Sequence, residues 1–283
     1  MVGAGYGGRR LSMAVAFFVA ALALLVAGST VAGGPARAEL RVLQLNLCNS
    51  GIAECYTGRS VDRAAAVIRA DRPDVVTLNE VCHEDVSGLY QALQGTYQGN
   101  LVWAFQAAAD RRTGNDFQCR NAQPYGIGML VRLPSPSAGH ATEAGIYPSQ
   151  DPGDPEERAW LCVRVVGSFL ACTTHLASTS APVAVDQCHY LFDTAVPWSR
   201  GPDRAGPAVV AGDFNLGNGE FDLVHAGDMQ ACLPAGYVRA DDGGVQQVLA
   251  TSGLTIGATD LIDMHATTDH PGLLVSFRRP SAH

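Results

Sequence analysis

The sequence predicts an α/β fold, because strand and helix patterns alternate along the chain. Residues 40–47 alternate apolar and polar side chains as a strand does. Residues 60–70 place apolar side chains on one helical face, and residues 75–80 form a second, more apolar strand. Strand, helix and strand in this order are typical of a βαβ unit with parallel strands. We therefore expect Asn46 and Glu80 to emerge at the same edge of the sheet.

The first 38 residues have the composition of an export signal. Arg9-Arg10 precede an apolar run over residues 11–28, and small residues then lead to Ala36-Arg37-Ala38. This order of charge, apolar core and A-x-A site is typical of a secretory signal peptide cleaved before Glu39. The run is long for a signal core, so an uncleaved single-span membrane anchor remains the alternative. We expect residues 1–38 to be the signal peptide of a secreted protein and residues 39–283 to form its domain.

The chain is acidic, and all of its basic side chains are arginine. Its 283 residues contain 19 basic and 27 acidic side chains, a formal net charge of −8. Loss of residues 1–38 would remove three arginines and no acid, which gives −11 for the remainder. This balance argues against non-specific adhesion to nucleic acid. The lack of lysine excludes a catalytic lysine.

The cysteine pattern predicts disulfides. All eight cysteines follow residue 38, which suits four disulfides formed in an oxidising compartment. Their spacing lacks the paired C-x-x-C of thiolate zinc sites. Cys162 and Cys172 lie symmetrically about Gly167, as facing positions of a hairpin do. We therefore predict a disulfide between these two, with Cα atoms within about 7 Å of each other, and the other pairings stay open.

The other elements follow from apolar patterns and turn residues. Residues 110–124 and 133–158 are rich in turn-forming residues and predict surface loops, the first with an arginine cluster (Arg111, Arg112 and Arg120) suited to phosphate. The remaining elements expected in chain order are a helix at 84–93, a strand at 125–131, a hairpin at 160–174, a helix at 183–196, a strand at 208–213, a helical turn at 219–229 and strands at 245–250 and 273–277. No internal repeat is visible, so one domain is expected.

Polar side chains follow several of these strands. The buried strand Ala208–Ala211 leads through Gly212 to Asp213 and Asn215, which stand at alternate positions and are expected to point the same way. A carboxylate and a carboxamide side by side are able to hold a water and a phosphate oxygen. An ordinary turn also favours Gly, Asp and Asn, so this segment alone decides nothing. Matching polar groups at other strand ends favour a functional site.

Five segments, in this order, resemble motifs of the endonuclease/exonuclease/phosphatase superfamily. They are Leu45-Asn46, Leu78-Asn79-Glu80, Thr174-His175-Leu176, Gly212-Asp213-Phe214-Asn215 and Thr268-Asp269-His270-Pro271. That superfamily includes pancreatic-type deoxyribonucleases, abasic-site endonucleases, bacterial sphingomyelinases and inositol-phosphate phosphatases. The resemblance spans residues 40–277. It implies a four-layer α/β sandwich, with two mostly antiparallel sheets packed face to face and helices outside.

The resemblance also implies roles for these residues. Glu80 would bind Mg²⁺ or Mn²⁺, for which a carboxylate is a suitable hard ligand, with Asn46 and Asp269 near the metal. The expected catalytic residues are His175, Asp213, Asn215 and His270: Asp213 orients or deprotonates the attacking water, Asn215 holds a phosphate oxygen, and the two histidines flank the phosphate. Tyr125, at the start of its strand, is either a substrate contact or an aromatic residue of the rim.

Two positions depart from the family pattern. An Asp that usually pairs with the terminal histidine is replaced by Gln246 in Val245-Gln246-Gln247-Val248, so His270 loses a favourable neighbour in its charged form. Asp260 or Asp263 is a candidate substitute for that carboxylate. The Gln that usually precedes the metal-binding Glu is Asn79 here.

We expect a secreted, divalent-metal-dependent phosphoesterase that hydrolyses a phosphodiester, as nucleases do. One alternative is a lipid phosphodiesterase of the sphingomyelinase kind, although no Trp- or Phe-rich hairpin for membrane binding is evident. The other is a catalytically weak secreted binding protein on the same fold. The expected partner is a phosphate-ester substrate (nucleic acid, phospholipid or small phosphodiester). No stable protein partner is expected, and the chain should be a monomer.

Overall fold

A computed structural model describes residues 1–3, 5, 39–202, 206–217 and 228–278. The chain separates into two compact units, Met1–Ala36 and Arg37–His283, and every element below belongs to the second. The predicted signal peptide lies outside the described residues apart from positions 1–3 and 5, and the predicted turn at 219–229 apart from its last two positions. Among the described helices, none combines the length and apolar character that crossing a bilayer requires.

The described strands form two six-stranded sheets and one small sheet. The strands are β1 Glu39–Asn46, β2 Val75–Cys82, β3 Leu101–Ala107, β4 Ala109–Asp110, β5 Asn115–Asp116, β6 Tyr125–Arg132, β7 His140–Ile146, β8 Glu156–Glu157, β9 Ala159–Val165, β10 Phe169–His175, β11 Ala208–Asp213, β12 Tyr237–Asp241, β13 Gln246–Thr251, β14 Thr255–Ile262 and β15 Gly272–Arg278. Sheet one has the order β14-β15-β1-β2-β6-β3, sheet two the order β12-β13-β11-β10-β9-β7, and the small sheet the order β5-β4-β8. Between these strands, β1–β2 and β10–β11 are parallel pairs and the rest are antiparallel.

Helices connect the strands of both parallel pairs. The helices are α1 Ser60–Asp71, α2 His83–Tyr97, α3 Ala181–Tyr190 and α4 Val196–Ser199, with a π-helical stretch Leu191–Ala195 between the last two and a 3-10 turn at Met229–Ala231. α1 joins β1 to β2, and the run from α3 to α4 joins β10 to β11. Both are the crossover connections that parallel neighbours require.

Three apolar clusters show how these elements are layered. Inward residues of the two sheets, such as Met129 and Val163, form one cluster between them. Leu43 and Ile68 belong to a second cluster, which joins sheet one to α1 and α2. A third cluster joins Val210 of sheet two to α3 and the π-helical stretch. The order helix, sheet, sheet, helix confirms the predicted four-layer α/β sandwich.

The eight cysteines form four pairs at disulfide distance. The pairs are Cys48–Cys55, Cys82–Cys119, Cys162–Cys172 and Cys188–Cys232. Cys162 and Cys172 are direct partners in the β9–β10 hairpin, with Cα atoms 4.0 Å apart. The disulfide predicted from their symmetry about Gly167 is confirmed.

Several local predictions differ from the structure. Residues 133–158 are not one long loop, because β7 adds an edge strand to sheet two and β8 joins the small sheet. β7 is largely exposed and lacks the apolar alternation that marks a strand, so sequence pattern missed it. Residues 110–124 likewise contain β5, and β3, β12 and β14 were not anticipated. Ser60 is the first residue of α1, and its hydroxyl donates to Asn49 Oδ1 over 3.3 Å.

Candidate active site

The space between the two sheets changes from apolar to polar at one end. In β1, Val42 belongs to the apolar cluster, and Gln44 and Asn46 follow it at alternate positions on the same face. In β11, Ala211 belongs to that cluster and Asp213 follows. The buried polar side chains at this end are Gln44, Asn46, Thr77, Asn79, Thr173, His175, Asp213 and Gln246. Buried polar groups need partners, so their hydrogen bonds define the site.

Glu80 leaves sheet one through a break in strand pairing. The register of β2 against β6 shifts between Leu78 and Val81, and Glu80 has a φ of 55°. Such a left-handed conformation is costly for a residue with a side chain, and bulges of this kind re-aim side chains beside active sites. Here the bulge brings Glu80 Oε1 to within 2.9 Å of Asn46 Nδ2, which donates to it. The predicted meeting of Asn46 and Glu80 is confirmed.

Asn46 links the carboxylates of the two sheets. Its Nδ2 donates to Glu80 Oε1 and also to Asp213 Oδ2, over 3.1 Å. Its Oδ1 accepts a hydrogen bond from the backbone N–H of Cys48 at 3.1 Å. In this orientation, the amide nitrogen of Asn46 faces the two carboxylates. Its amide oxygen bonds to the backbone two residues later.

The parallel pair of sheet two supplies His175 and Asp213. They are direct partners at the last register position of β10 and β11. His175 is 6% exposed and Asp213 only 2% exposed. The imidazole of His270 approaches from the segment before β15, with Nε2 3.7 Å from Asp213 Oδ2 and 3.9 Å from Asp269 Oδ1. The structure therefore brings together both histidines, Asp213 and the metal-site candidates.

Asn215 does not follow the alternation of a strand. β11 ends at Asp213, and Asn215 has a φ of 50°. Its backbone N–H donates to Asp213 Oδ1 over 3.1 Å, and its Nδ2 donates to the carbonyl of Leu176 over 2.9 Å. A turn after β11, rather than strand alternation, therefore sets the position of this side chain, which bonds to the residue that follows His175 in the chain.

A buried ion cluster borders Glu80 and His175. Arg158 is 5% exposed, and its guanidinium lies 3.1 Å from Asp154 Oδ2 and 3.2 Å from Glu156 Oε1. Burial opposes its charge, but the neighbouring acids Glu156 and Asp154 and the phenol of Tyr125 raise the pKa of Arg158. Burial raises the pKa of Glu156 to about 7, partly offset by Arg158. Arg158 is thus a permanent buried cation.

Tyr125 lies inside the protein rather than at a rim. It is 5% exposed and, as the first residue of β6, pairs with Cys82 at the end of β2. Its hydroxyl is hydrogen-bonded to Glu156, and its ring contacts Phe117 with centroids 5.6 Å apart. Burial, with the charges of Glu156 and Glu80, raises the pKa of Tyr125 well above its usual range. The phenol is therefore a stable hydrogen-bond donor at neutral pH.

His175 is a neutral imidazole. Burial, followed by the charge of Arg158 and the neighbouring His270, lowers the pKa of His175 well below its usual range. A neutral ring has one nitrogen able to accept a proton and one able to donate. This state suits proton transfer at a substrate oxygen.

The acids at this site fit a divalent cation. Burial raises the pKa of Glu80, and the charges of Asp213 and Asp269 raise it further, against the hydrogen bond from Asn46 and the charge of Arg158. Clustered carboxylates of this kind are stabilised by a hard cation. Within the described residues, no trio of His, Cys, Asp or Glu ligand atoms that includes Glu80 lies within 4.8 Å of one another. Mg²⁺ suits such a sparse set, because it keeps several of its waters.

Three side chains of this site were not expected from the sequence. Arg158 lies at the end of a predicted loop, and Gln44 and Glu156 had no predicted role. An arginine among acids, directly before a buried strand, was the available signal for Arg158. Arg111 and Arg112 are each paired with an acid, Glu157 at 3.5 Å and Asp110 at 2.9 Å. Asp260 is exposed on β14, whereas the nearest acid to His270 is Asp213.

Comparison with known proteins agrees with the fold and the order of motifs. The sequence model of the endonuclease/exonuclease/phosphatase family matches residues 43–270. An endonuclease/exonuclease/phosphatase from Beutenbergia cavernae superposes with a TM-score of 0.64 at 20% identity, over 87% of this chain and 73% of that one. ANGEL2, a 2′,3′-cyclic phosphatase, gives 0.60 at 12% identity, over 85% and 95%. D. rerio TDP2 with a single-strand DNA product gives 0.55 at 16% identity, over 85% and 99%. No curated protein sequence matches the chain significantly.

Proposed function

The chain belongs to the endonuclease/exonuclease/phosphatase family and is thus a phosphoric ester hydrolase, and we propose that it hydrolyses a phosphodiester by attack of water at phosphorus. Enzymes of this family generally depend on divalent metals. The proposal extends this to nuclease-like chemistry on a nucleotide phosphodiester. Two relatives of the same fold support that choice, since one is a 2′,3′-cyclic phosphatase and one holds a DNA product.

One observation carries the proposal: the polar end of the inter-sheet space joins three carboxylates to two imidazoles. Glu80 and Asp213 share the amide of Asn46, and His270 stands between Asp213 and Asp269. Phosphodiester hydrolysis needs an oriented water, neutralised phosphoryl oxygens and a proton for the leaving oxygen. This group of side chains offers all three.

Each side chain has a function consistent with its contacts. Asp213 is held by hydrogen bonds on both oxygens and orients the attacking water. Asn215 and the buried guanidinium of Arg158 offer N–H donors to the phosphoryl oxygens, whereas the hydroxyl of Tyr125 is already bonded to Glu156. The neutral imidazole of His175 and the ring of His270 flank the phosphate. One of these two rings donates the proton that the leaving oxygen takes up.

Glu80 and Asp269 are the residues that would hold Mg²⁺ or Mn²⁺, with Asn46 beside them. When bound, the cation supplies positive charge to the phosphoryl oxygens and lowers the pKa of its water. The side-chain N–H of Asn46 holds Glu80 in place. This contact keeps the carboxylate directed toward the site.

We also propose that the protein is exported and acts as a monomer outside the cytoplasm. The four cysteine pairs support an oxidising compartment, and the first 38 residues have the order of a signal peptide. N-terminal sequencing of protein from the culture medium should give Glu39 as the first residue. A chain that starts at Met1 and sediments with membranes would point to the uncleaved anchor.

A substrate panel tests the proposed activity. It contains single-stranded and double-stranded DNA, RNA, a 2′,3′-cyclic nucleotide, sphingomyelin and inositol phosphates, each with Mg²⁺, with Mn²⁺ and with a chelator. We expect metal-dependent release of product from nucleotide phosphodiesters, abolished by chelator and by Asp213→Asn. Turnover of sphingomyelin alone would indicate a lipid phosphodiesterase. No turnover of any substrate by folded, metal-loaded protein would leave the binding-protein alternative.

A further inference from the structure

Among the described side chains, that of Gln246 makes the shortest hydrogen bond to the carboxylate of Asp213. It is completely buried and faces Asp213 directly in the β11–β13 pair. Its Nε2 donates to Asp213 Oδ2 over 2.7 Å, shorter than the 3.1 Å donation from Asn46 to the same oxygen. The other oxygen, Oδ1, accepts from the backbone N–H of Asn215 at 3.1 Å. Three N–H donors thus fix the plane of one carboxylate.

A glutamine amide helps a carboxylate only in one of its two orientations. If the amide of Gln246 turned over, its oxygen would face Asp213 and repel it. Gln44 prevents this, because its Nε2 donates to Gln246 Oε1 over 2.9 Å. The nitrogen of Gln246 is thereby left to point at Asp213.

Gln44 is itself fixed by further hydrogen bonds from sheet one. The hydroxyl of Thr77 donates to Gln44 Oε1, so the nitrogen of Gln44 faces the opposite way. That nitrogen also donates to Asn79 Oδ1 over 2.6 Å, and the same oxygen accepts from the backbone N–H of Asp213 at 2.8 Å. The donors therefore run in one direction, from Thr77 through Gln44 and Gln246 to Asp213, and they cross from one sheet to the other.

We propose that Gln246, oriented by Gln44, is the positioning residue of the catalytic carboxylate Asp213. This inference rests on the proposed function, since it assumes that Asp213 acts in catalysis. In the part of the chain that the structure describes, neither glutamine hydrogen-bonds to a side chain assigned to the metal or to the phosphate. They affect turnover by fixing the direction of the Asp213 carboxylate, because the chain of buried donors allows only one orientation. Networks of this kind act as a unit, so changes within it should not be additive.

The test compares variants that keep side-chain length but change donors. Gln246→Met removes the donor to Asp213. Gln44→Met removes the group that orients Gln246, together with its bonds to Asn79 and Thr77, and leaves the donor to Asp213 in place. Gln44→Glu replaces the amide donor of Gln44 by an acceptor, which draws the nitrogen of Gln246 away from Asp213. Gln247→Met is the matched control: Gln247 is buried on the same strand, but its Nε2 donates to the carbonyls of Leu216 and Gly244 over 3.2 and 3.0 Å.

We measure kcat, KM and the unfolding midpoint for each variant on the best substrate of the panel. Gln246→Met should lower kcat roughly 10- to 100-fold with little change in KM, as loss of an outer hydrogen-bond partner does. Gln44→Met should lower kcat less than Gln246→Met does. Gln44→Glu should lower kcat more than Gln44→Met does. The double variant Gln44→Met/Gln246→Met should fall no further than Gln246→Met. Gln247→Met should lose stability but keep kcat within about threefold of wild type.

A second measurement does not depend on activity. In protein labelled with ¹⁵N-glutamine, the side-chain amide of Gln246 should exchange slowly with solvent, and its proton shift should move in Asp213→Asn and in Gln44→Met. Inactive wild type with these shifts would overturn the proposed function but keep the orientation of Gln246. Active wild type with an unchanged kcat in Gln246→Met, additive losses in the double variant, or no shift of the Gln246 amide would overturn the positioning role. If Gln44→Glu fails to fold, the two Met variants decide.

Discussion

The two parallel strand pairs of this protein have the same plan and different surroundings. β1–β2 and β10–β11 are each joined by a helical crossover, and each ends in a register pair at the site, Asn46 with Asn79 and His175 with Asp213. In the first pair, Glu80 lies on a bulge near the end of β2, and disulfides hold the segments that follow both strands. In the second pair, His175 and Asp213 lie inside the sheet, and hydrogen bonds hold the carboxylate of Asp213.

This difference suggests a division of labour. Cys48 and Cys82 each follow a site residue of the first pair by two positions, and the sulfurs of Cys48–Cys55 lie within 4.8 Å of an Asp269 oxygen. On the assignment proposed above, the cation would be held in this half by Glu80, on a frame that disulfides cross-link. The attacking water would be oriented by Asp213, which the second half holds on a buried strand.

The largest effect is expected in the second pair. Asp213→Asn, which keeps shape but removes the charge, should lower kcat by roughly a hundredfold to ten-thousandfold, since general acid–base assistance is worth that much. His175→Ala should fall in the same range. Steady-state kinetics at saturating metal measure the loss, and thermal unfolding should show that both variants remain folded. The control is Asp186→Asn, because Asp186 is an exposed residue of α3. A loss of less than tenfold for Asp213→Asn would break the division proposed above.

The next effect concerns the first pair and should appear in the metal requirement. Glu80→Gln should raise the Mg²⁺ concentration for half-maximal activity roughly 10- to 100-fold, because the ligand loses its charge while the fold is kept. Titration of activity with metal, together with calorimetry of metal binding, measures it. Glu84→Gln, in the first turn of α2, is the matched control. If Glu80→Gln binds metal as wild type does, the metal assignment of the first half is wrong.

A smaller effect is expected when a disulfide beside the first strand pair is compared with one beside the second. Removing Cys82–Cys119 by paired Ser substitutions frees the chain just after Glu80 and should lower kcat roughly tenfold, because small misplacements of catalytic groups are costly. Removing Cys162–Cys172, on the outer face of sheet two, should leave kcat within about twofold. Both should reduce stability by about 2–4 kcal/mol, so activity is measured well below either unfolding midpoint. Equal losses of kcat would show that the disulfides do not distinguish the two halves.

The smallest effect is a pH dependence of the free energy of unfolding. It comes from the buried ion cluster of Arg158, Asp154 and Glu156. Burial raises the pKa of Glu156 from 4.5 to about 7, so the folded protein binds this proton more tightly than the unfolded chain does. The resulting stability is present below pH 4.5 and is lost as the pH rises through 7. Its size is on the order of 1–3 kcal/mol, from 1.4 kcal/mol per pKa unit.

Glu156→Gln stays neutral and should not show this loss. Denaturant unfolding at several pH values between 4.5 and 7.5 gives the free energy of unfolding for both proteins, and the difference between them should change across this range. The slope against pH, rather than the absolute stability, is the measured quantity, because the substitution also changes the contact with Arg158. Parallel curves would show that Glu156 is ionised throughout.

The sequence alone determined the α/β class, the βαβ start of the chain, the hairpin disulfide Cys162–Cys172 and the identity of most polar residues at strand ends. These follow from short-range patterns: alternation in strands, apolar faces in helices and symmetric spacing about a turn. The departure at Gln246 was also visible, but its consequence was not. The sequence suggested a weakened His270, whereas the contacts show a glutamine that holds Asp213.

Only the tertiary structure decided how the two sheets meet, and the site depends on that meeting. Gln44 and Gln246 are 202 positions apart, and nothing local indicates that their amides bond or which way each one faces. The edge strand β7 and the buried Arg158 were missed for the same reason, because pairing partners and burial come from distant parts of the chain. Local pattern determines which face of a strand is polar, and the packing of the sheets determines which polar faces come together.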